Sequence, residues 1–370
     1  MRAFGIICSS GNHIHVEGMQ DYRSIGAFSF LGRYRAIDFP MSNMSNSDIE
    51  HVAVLCGNNP RSLVEHLGSG RHYNINSKRG KVQLLFTEGG AATSFYNTNM
   101  AGFAQNLESI QKAPADYVVI APGYMIYTQD YDKLLDQHIE SGADITLLYH
   151  TLDTANEDCL NCDTLSLNRQ HGVTALVRNR GAEQRADIFM DTYVMKKSLF
   201  IDLILKARRI SSMYTLAQIV SSCCGELDIR GVEHTGYFAS LTDFKSVYKA
   251  NMSLIDYNNA KLLFDEKWSI YTRTSDTCPT QYFDEAEVKS SVVANGCLIR
   301  GNLENCVIGR DVKIGKDCVI KNCVISSDVV IADGTHLENL IVDKHARVLH
   351  TKELLATPEN PGYVKRGDII

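Results

Sequence analysis

The chain has 370 residues, of which 44% are hydrophobic and 22% charged, a composition typical of a globular protein large enough for two domains. Its formal net charge of -6 argues against a nucleic-acid partner, because proteins that bind nucleic acid usually carry a basic face. The N-terminal segment MRAFGIICSSG does not resemble a secretory signal, and no apolar run reaches the roughly 18 to 20 residues that span a bilayer. We therefore expect a cytoplasmic protein without a membrane partner.

The 11 cysteines are spread along the chain, and several lie inside apolar runs, among them Cys8, Cys318 and Cys323. This distribution favours free thiols that pack as small hydrophobic groups in a reducing compartment. Cys159 and Cys162 form a CxxC motif, but a zinc site needs a second pair of ligands at suitable spacing. We expect no bound metal.

Strand-like and helix-like segments alternate along the first two thirds of the chain. In chain order they are strand Ala3–Cys8, strand His51–Cys56, helix Pro60–Leu67, strand Val82–Phe86, strand Tyr117–Ala121, helix Asp130–Ser141 and strand Asp144–Tyr149. Gly142 is a natural stop for the second helix. This alternation predicts a Rossmann-like α/β domain with a mostly parallel sheet, in which ligands bind at the carboxyl ends of the strands.

The last third of the chain changes to a six-residue apolar period. The recurring positions are Ile308, Ile314, Ile320, Ile325, Ile331, Leu337, Val342 and Val348. Such a period is typical of a left-handed parallel β-helix of hexapeptide repeats, in which each coil buries its side chains by stacking on the next. The sequence predicts an α/β domain over residues 1–253, a linker over 254–286 and a β-helix over 287–370 that takes part in oligomer contacts.

Three stretches of the α/β domain carry a family resemblance. They are GRYRAIDFPMSN (Gly32–Asn43), DYDKLLDQHIESGADIT (Asp130–Thr146) and GYFASLTDFKSVYKANMSL (Gly236–Leu254). With the β-helix, they resemble the ADP-glucose pyrophosphorylase (glucose-1-phosphate adenylyltransferase) family over the full length of the chain. The resemblance implies a Rossmann-like nucleotidyltransferase domain. In active members glucose-1-phosphate attacks the α-phosphate of ATP, and two aspartates hold the Mg²⁺ that neutralises charge on the phosphates.

The residues that carry this chemistry in the family are replaced in this chain. The Gly-rich triphosphate loop aligns with Cys8–Ile14, and its arginine falls at Ile14. The phosphate-binding lysine aligns with Ile25, and the two metal aspartates align with Gly123 and Ser240. Because Mg²⁺ prefers anionic oxygen ligands, the resemblance implies a chain with no catalytic residues and no cofactor of its own.

This pattern resembles the non-catalytic regulatory second subunit found beside an active subunit in Gram-positive bacteria. It implies a role in glycogen biosynthesis within a hetero-oligomer, a heterotetramer, whose catalytic ADP-glucose pyrophosphorylase subunit requires Mg²⁺. The sequence also allows a homo-oligomer of the chain alone. Two other functions are alternatives: an inert scaffold, and an active enzyme with Asp116, Asp130 and Asp132 as relocated metal ligands. The last two aspartates begin a predicted helix, where acidic residues already have a stabilising role.

Basic residues of the GRYR segment and near the C-terminus are candidates for effector or anion binding: Arg33, Arg35, Lys365 and Arg366. In the family, basic residues of the first segment lie near the β-helix and bind anionic effectors, and the guanidinium fork suits phosphate. A sugar phosphate is one candidate effector, and the sequence does not fix which anion binds. The alternatives are an Arg35 that pairs with Asp38 and a solvated tail at Lys365 and Arg366.

The segment aligned with the triphosphate loop is a candidate remnant of a nucleotide site. Its residues are Ser9, Ser10, Gly11 and His13. The alternative is a solvent-exposed loop without a ligand.

Overall fold

The computed structural model describes residues 2–9, 14–76, 78, 80–87, 98–211 and 213–370. The strands of its N-terminal domain are β1 (Ala3–Cys8), β2 (Ser29–Phe30), β3 (Tyr34–Arg35), β4 (His51–Cys56), β5 (Lys81–Phe86), β6 (Tyr117–Pro122), β7 (Met125–Ile126), β8 (Ile145–Leu152), β9 (Asp163–Leu167), β10 (Val173–Arg178), β11 (Ala186–Lys196), β12 (Ile229–Glu233) and β13 (Ala239–Ser240).

The helices are α1 (Asp38–Asn46), α2 (Arg61–Leu67), α3 (Asn99–Gln105), α4 (Leu107–Gln111), α5 (Tyr131–Ser141), α6 (Lys197–Ile210), α7 (Leu216–Ser222), α8 (Phe244–Ser253) and α9 (Tyr257–Leu263), with short 3-10 helices at Ile25–Ala27 and Arg71–Tyr73. The strands and helices predicted over residues 3–149 are confirmed, with bounds that shift by at most a few residues. None of the described helices is long and apolar enough to cross a membrane.

The central sheet is parallel on one side and mixed on the other. Strands β5, β4, β1 and β6 lie side by side in parallel, as the βαβ rhythm predicts. The long strand β11 then pairs antiparallel with β6, β8 and β9, and β12 adds to β8 in parallel. The predicted parallel arrangement therefore holds for the half of the sheet that carries β1 and β6.

Helix α5 begins and ends where the sequence predicts. The Asp130 carboxylate accepts hydrogen bonds from the backbone N–H groups of Asp132 and Lys133, each at 3.1 Å, and so caps the helix N-terminus. Gly142 ends the helix with a φ of 69°, a left-handed conformation that glycine adopts without strain. Asp130 thus has a structural role at the position where a relocated metal ligand was considered.

The C-terminal domain is a three-sided coil of short parallel strands. They are β14 (Gln281–Tyr282), β15 (Val288–Lys289), β16 (Val292–Val293), β17 (Leu298–Ile299), β18 (Asn302–Glu304), β19 (Val307–Ile308), β20 (Lys313–Ile314), β21 (Val319–Lys321), β22 (Val324–Ile325), β23 (Val330–Ile331), β24 (His336–Glu338), β25 (Leu340–Val342), β26 (Arg347–Val348), β27 (Glu353–Leu355) and β28 (Gly362–Val364).

These strands form three parallel sheets, β14-β17-β20-β23-β26, β15-β18-β21-β24-β27 and β16-β19-β22-β25-β28. The architecture is the predicted left-handed β-helix of hexapeptide repeats. Its first strand, β14, lies at Gln281, so the predicted border at residue 287 falls inside the first coil. The predicted linker also contains α9.

Stacked side chains hold the coils together. Ile314, Ile320 and Ile325 are at most 2% exposed, in line with the six-residue period. At one corner Asn305 and Asn322 lie in a ladder of side-chain hydrogen bonds that continues to Asn339, with lengths of 3.3 and 3.1 Å. These asparagines have φ values of 51°, 49° and 56°, and asparagine tolerates this left-handed turn better than most residues.

The β-helix packs against the N-terminal domain through an apolar face. Val307, Val324 and Ile341, from neighbouring coils, belong to the same buried core as the first domain. The Tyr248 hydroxyl of α8 donates to the Asn322 carbonyl at 2.7 Å. This shared core fixes the two domains against each other and forms a cleft beside β2 and β3.

Candidate functional site

Gly123, which the sequence aligns with the first metal aspartate of the family, directly follows β6. There the Gly123 backbone N–H donates to the Cys8 carbonyl at 2.7 Å. A Cβ at Gly123 would lie 2.5 Å from the Ser9 Oγ, closer than carbon and oxygen approach without displacement. An aspartate does not fit at this position while Ser9 stays in place. The loop candidates Ser10, Gly11 and His13 lie outside the described residues.

Ser240, which the sequence aligns with the second metal aspartate, lies in β13 and is 4% exposed. Its hydroxyl lies 3.4 Å from the Cys162 Sγ, so the position holds a hydroxyl and a sulfur atom and no carboxylate. The described residues contain no group of three or more His, Cys, Asp or Glu side chains placed to hold a metal ion. The residues at the two family positions therefore do not fit Mg²⁺, which prefers anionic oxygen ligands.

The two positions aligned with phosphate-binding cations are part of the apolar core. Ile14 is 5% exposed and Ile25 is 1% exposed. Both side chains pack in the same buried cluster. Replacement by isoleucine thus removes a positive charge and also fills the space with hydrocarbon.

One carboxylate that the sequence did not single out, Asp191, lies near this face. It occupies an irregularity of β11 with a left-handed φ of 46°. The hydroxyls of Tyr193 and Tyr124 donate to its two oxygens at 2.9 and 3.0 Å. Burial raises the pKa of Asp191 to about 6, despite both hydrogen bonds. With each oxygen held by a tyrosine, this carboxylate is satisfied within the protein.

A second polar site lies in the cleft between the domains. It is a cavity of about 410 Å³, within the range typical of small-molecule sites. We call it the basic cavity after its five cationic side chains. They are Arg33, Arg35, Arg273, Arg310 and Lys344. Asp276 is the one acidic residue among the described residues that line it. The excess of positive charge favours an anionic ligand.

The structure shows which parts of Arg35 contact Asp38 and Ser62. Its guanidinium donates to the Ser62 carbonyl at 2.5 Å and to the Ser62 hydroxyl at 3.0 Å. It is the Arg35 backbone N–H that donates to Asp38, at 2.8 Å, and that carboxylate also accepts from His66 and Tyr73, each at 2.6 Å. Asp38 therefore fixes the backbone of Arg35, while the positively charged side chain lines the cavity.

The cavity brings together cations that the sequence did not connect. A guanidinium N–H of Arg310 donates to the Arg273 carbonyl at 3.2 Å, whereas its buried Nε has no partner among the described residues. Burial lowers the pKa of Arg310, and the positive charge of Arg33 lowers it further. Like charges are thus held close together, and a bound anion would reduce the repulsion between them.

Comparisons with known proteins identify the family. Residues 21–158 match the family model described as nucleotidyl transferase, and residues 278–358 match the model of the GlmU-like C-terminal hexapeptide. The glycogen biosynthesis protein GlgD of Geobacillus stearothermophilus is 33% identical over 86% of this chain and 83% of its own. GlgD of Bacillus subtilis is 30% identical over 98% of this chain and 95% of its own.

The chain belongs to the GlgD and glucose-1-phosphate adenylyltransferase family. A glucose-1-phosphate adenylyltransferase of Geobacillus stearothermophilus is also 30% identical, over 80% of this chain and 77% of its own. The altered face at Ser9, Gly123 and Ser240 thus belongs to a chain that retains the family fold throughout.

Of the two C-terminal candidates for anion binding, Arg366 lines a cavity among those described and Lys365 does not. Arg366 lines a neighbouring cavity of about 390 Å³, which we call the second cavity, together with Tyr22. Its guanidinium lies 5.9 Å from the centroid of the Tyr22 ring. Lys365 lines neither cavity among those described. Arg35 and Lys344 line both, so the two cavities share a wall.

Proposed function

We propose that this chain is a non-catalytic regulatory subunit of glucose-1-phosphate adenylyltransferase in glycogen biosynthesis. The observation that carries the proposal is the position of the Ser9 Oγ, which lies 2.5 Å from where the Cβ of an aspartate at position 123 would be. Ser240, Ile14 and Ile25 remove the remaining charged groups of the family site. The rest of the fold is retained, a combination expected where surfaces and domain geometry matter more than catalysis.

The partner is a catalytic subunit of the same family, joined to this chain in a hetero-oligomer such as a heterotetramer. That subunit makes ADP-glucose and pyrophosphate from ATP and glucose-1-phosphate and supplies the Mg²⁺ ligands. This chain acts by favouring the competent conformation of its partner. A coupling free energy of about 1 to 3 kcal/mol changes apparent affinity by roughly 5- to 150-fold.

The basic cavity gives this regulation a place for an effector. Its cations come from both domains, with Arg33 and Arg35 on one side and Arg310 and Lys344 on the other. An anion that contacts both sides draws the domains together, because bound charge offsets the repulsion among the cations. A sugar phosphate fits this chemistry, since phosphate accepts several charge-assisted hydrogen bonds.

The decisive experiment titrates this chain into the purified active subunit. Maximal rate, substrate affinity and activation by sugar phosphates are measured, and we expect at least one to change several-fold as the complex forms. The isolated chain, free of the active subunit, should make no ADP-glucose above background. Loss of the electrostatic clamp on the phosphates typically lowers the rate by on the order of 10³-fold or more. A complex that forms with every parameter unchanged would favour the inert scaffold.

Two variants separate the effector site from the subunit contact. In Arg33→Ala the complex should still form, while activation by sugar phosphates weakens, because the guanidinium lines the cavity and makes no hydrogen bond to the described residues. Lys365→Ala is the matched control, a cation of the same surface that lines neither cavity. Equal effects of the two substitutions would argue against an effector in the basic cavity.

A further inference from the structure

Lys344 occupies the wall that the basic cavity shares with the second cavity. It lies in the turn between β25 and β26 and lines both spaces. Arg35, across the domain border, is the other residue that lines both. Lys344 therefore borders the space that an anion would enter on either side of the cleft.

The carboxylates closest to Lys344 are already engaged. Asp343 forms a buried ion pair with Arg23 and accepts from the Tyr363 hydroxyl at 2.8 Å. Asp328, on the preceding coil, lies 3.7 Å from the His345 Nδ1. Among the described residues Lys344 forms no ion pair of its own, and Asp343 and Asp328 offset its charge only in part.

The groups that face Lys344 are mostly positive. Burial lowers the pKa of Lys344 to about 7, and the charges of Arg35 and Arg23 act in the same direction. Asp343 and Asp328 oppose the shift and do not cancel it. A substantial fraction of this amine is therefore uncharged near neutral pH, which lowers the repulsion in the empty cleft.

We propose that anion binding in the basic cavity is coupled to protonation of Lys344, so that the ligand and a proton are taken up together. This inference rests on the proposed anion site and concerns how pH regulates binding there. A bound dianion near Lys344 favours its charged form, and by linkage protonation favours the anion. Affinity therefore falls as the pH rises through the range in which the free amine loses its proton.

Other titratable groups face the same cleft and set the background. His66 lines the basic cavity, the His72 ring centroid lies 5.8 Å from that of His66, and burial lowers the pKa of both. His66 also donates to Asp38 and is held by that buried carboxylate. His345 and Arg366 line the second cavity beside Lys344. Because His66 and His72 lose any proton at lower pH than Lys344 does, their effect on the pH dependence of anion binding lies below about pH 6.5.

The test measures sulfate binding by the full chain in titration calorimetry at pH 6.5, 7.5 and 8.5. Sulfate keeps its charge of -2 throughout this range, so a pH dependence belongs to the protein. We expect affinity to fall with pH, at most about tenfold per unit for one coupled proton. Repeating the titration in buffers of different ionisation enthalpy counts the protons taken up.

Lys344→Arg provides the decisive comparison, because a guanidinium stays charged at every pH used. Its affinity for sulfate should be high and independent of pH, whereas Lys344→Met should bind weakly and without pH dependence. Lys365→Arg, outside both cavities, should keep the profile of the wild type. Thermal unfolding of each variant confirms that it is folded.

The outcomes separate the two proposals. Sulfate binding by the wild type with a flat profile overturns the coupling and leaves the anion site intact. A sloped profile that persists in Lys344→Arg overturns the assignment to Lys344. No binding of sulfate or inorganic phosphate by the wild type at any of the three pH values removes the anion site, and with it the basis of the coupling.

Discussion

Arg23 and Asp343 form a buried ion pair between the N-terminal domain and the β-helix. Their side chains are 3% and 0% exposed, and the contact joins residues 320 positions apart. The Tyr363 hydroxyl donates to the same carboxylate. Because an unpaired charge is costly in a buried site, the pair fixes how the two domains meet.

Removal of one partner should be strongly destabilising. In Arg23→Met the Asp343 carboxylate loses its counter-charge, and we expect the free energy of unfolding to fall by about 3 to 5 kcal/mol. Lys112→Met is the control, since it breaks an exposed ion pair with Glu108 and should leave the midpoint of denaturant unfolding unchanged. Arg23→Met combined with Asp343→Leu should recover part of the loss. A single substitution as mild as the control would contradict a structural role for the pair.

Acid should weaken the same contact. Burial alone would raise the pKa of Asp343, but the Arg23 charge and its hydrogen bonds outweigh burial and hold the pKa below its usual range. The unfolded chain therefore takes up this proton at a higher pH than the folded chain does. The stability it contributes is present above about pH 4, the ordinary value for aspartate, and is lost as the pH falls through the folded pKa.

The measurement compares the wild type with Asp343→Asn from pH 6 to pH 3. The difference between their unfolding midpoints should narrow as the pH falls, because the wild-type carboxyl becomes as neutral as the amide. A difference that stays constant over this range would show that Asp343 does not titrate as proposed.

Gly32 tests the close approach of the domains. It has a φ of 65°, and a Cβ there would lie 2.4 Å from the Ile308 carbonyl oxygen of the β-helix. Gly142 has a similar φ of 69° with no atom within 4 Å of such a Cβ. Gly142→Ala should cost about 1 kcal/mol from backbone strain alone. Gly32→Ala should cost several times more, measured as the free energy of unfolding, since the clash is with backbone. Equal losses would mean that the domains separate at little cost.

Local patterns were enough to predict much of the fold. The six-residue period marks the inward positions of the coil, and those side chains are buried as expected, Ile314 and Ile320 among them. The capped helix α5 follows from Asp130 and Gly142. The pairing of strand β11 could not be predicted in the same way. Its antiparallel contact with β6 joins segments far apart in sequence, which no local pattern encodes.

The candidate site was predicted only in part. The basic GRYR segment pointed to Arg33 and Arg35, and both line the basic cavity. Arg310 and Lys344 were missed, because the hexapeptide period marks residues that face into the coil and is silent about those that face outwards. Their position at the cleft follows from how the coil docks on the first domain. The packing of Ser9 against Gly123 is likewise a tertiary contact.

Return of the family aspartates should not produce an enzyme. Gly123→Asp places a side chain where the Ser9 Oγ would be 2.5 Å from its Cβ, so Ser9 must shift. Gly123→Asp with Ser240→Asp should lower the unfolding midpoint and still make no ADP-glucose from ATP, glucose-1-phosphate and Mg²⁺. The isoleucines at positions 14 and 25 leave the triphosphate without its cations. Asp136→Asn, an exposed carboxylate paired with Arg2, is a control for altered charge. Turnover by the double variant would show that metal ligation alone was missing.

Arg310 should show opposite effects on stability and on binding. Its guanidinium stands beside Arg33 and Arg273 with a buried Nε that has no partner among the described residues, so the empty cavity carries unrelieved repulsion. Arg310→Met keeps most of the alkyl packing and removes the charge. Without added anion the thermal midpoint should stay the same or rise by about 1 to 3 °C, because like-charge repulsion is reduced.

With sulfate present, the wild type should become more stable to heat than Arg310→Met. The wild type gains stability by binding, whereas Arg310→Met should bind about tenfold more weakly or worse, since a charge-assisted hydrogen bond is lost. The measurement is the thermal midpoint of both proteins across a series of sulfate concentrations, with sodium chloride at matched ionic strength as the control for screening. Arg300→Met serves as the control variant, because Arg300 stacks 4.4 Å from the Phe283 ring on the β-helix and does not line the cavity. If the thermal midpoints of the wild type and Arg310→Met rise equally with sulfate concentration, the cations of the basic cavity repel one another but do not bind an anion.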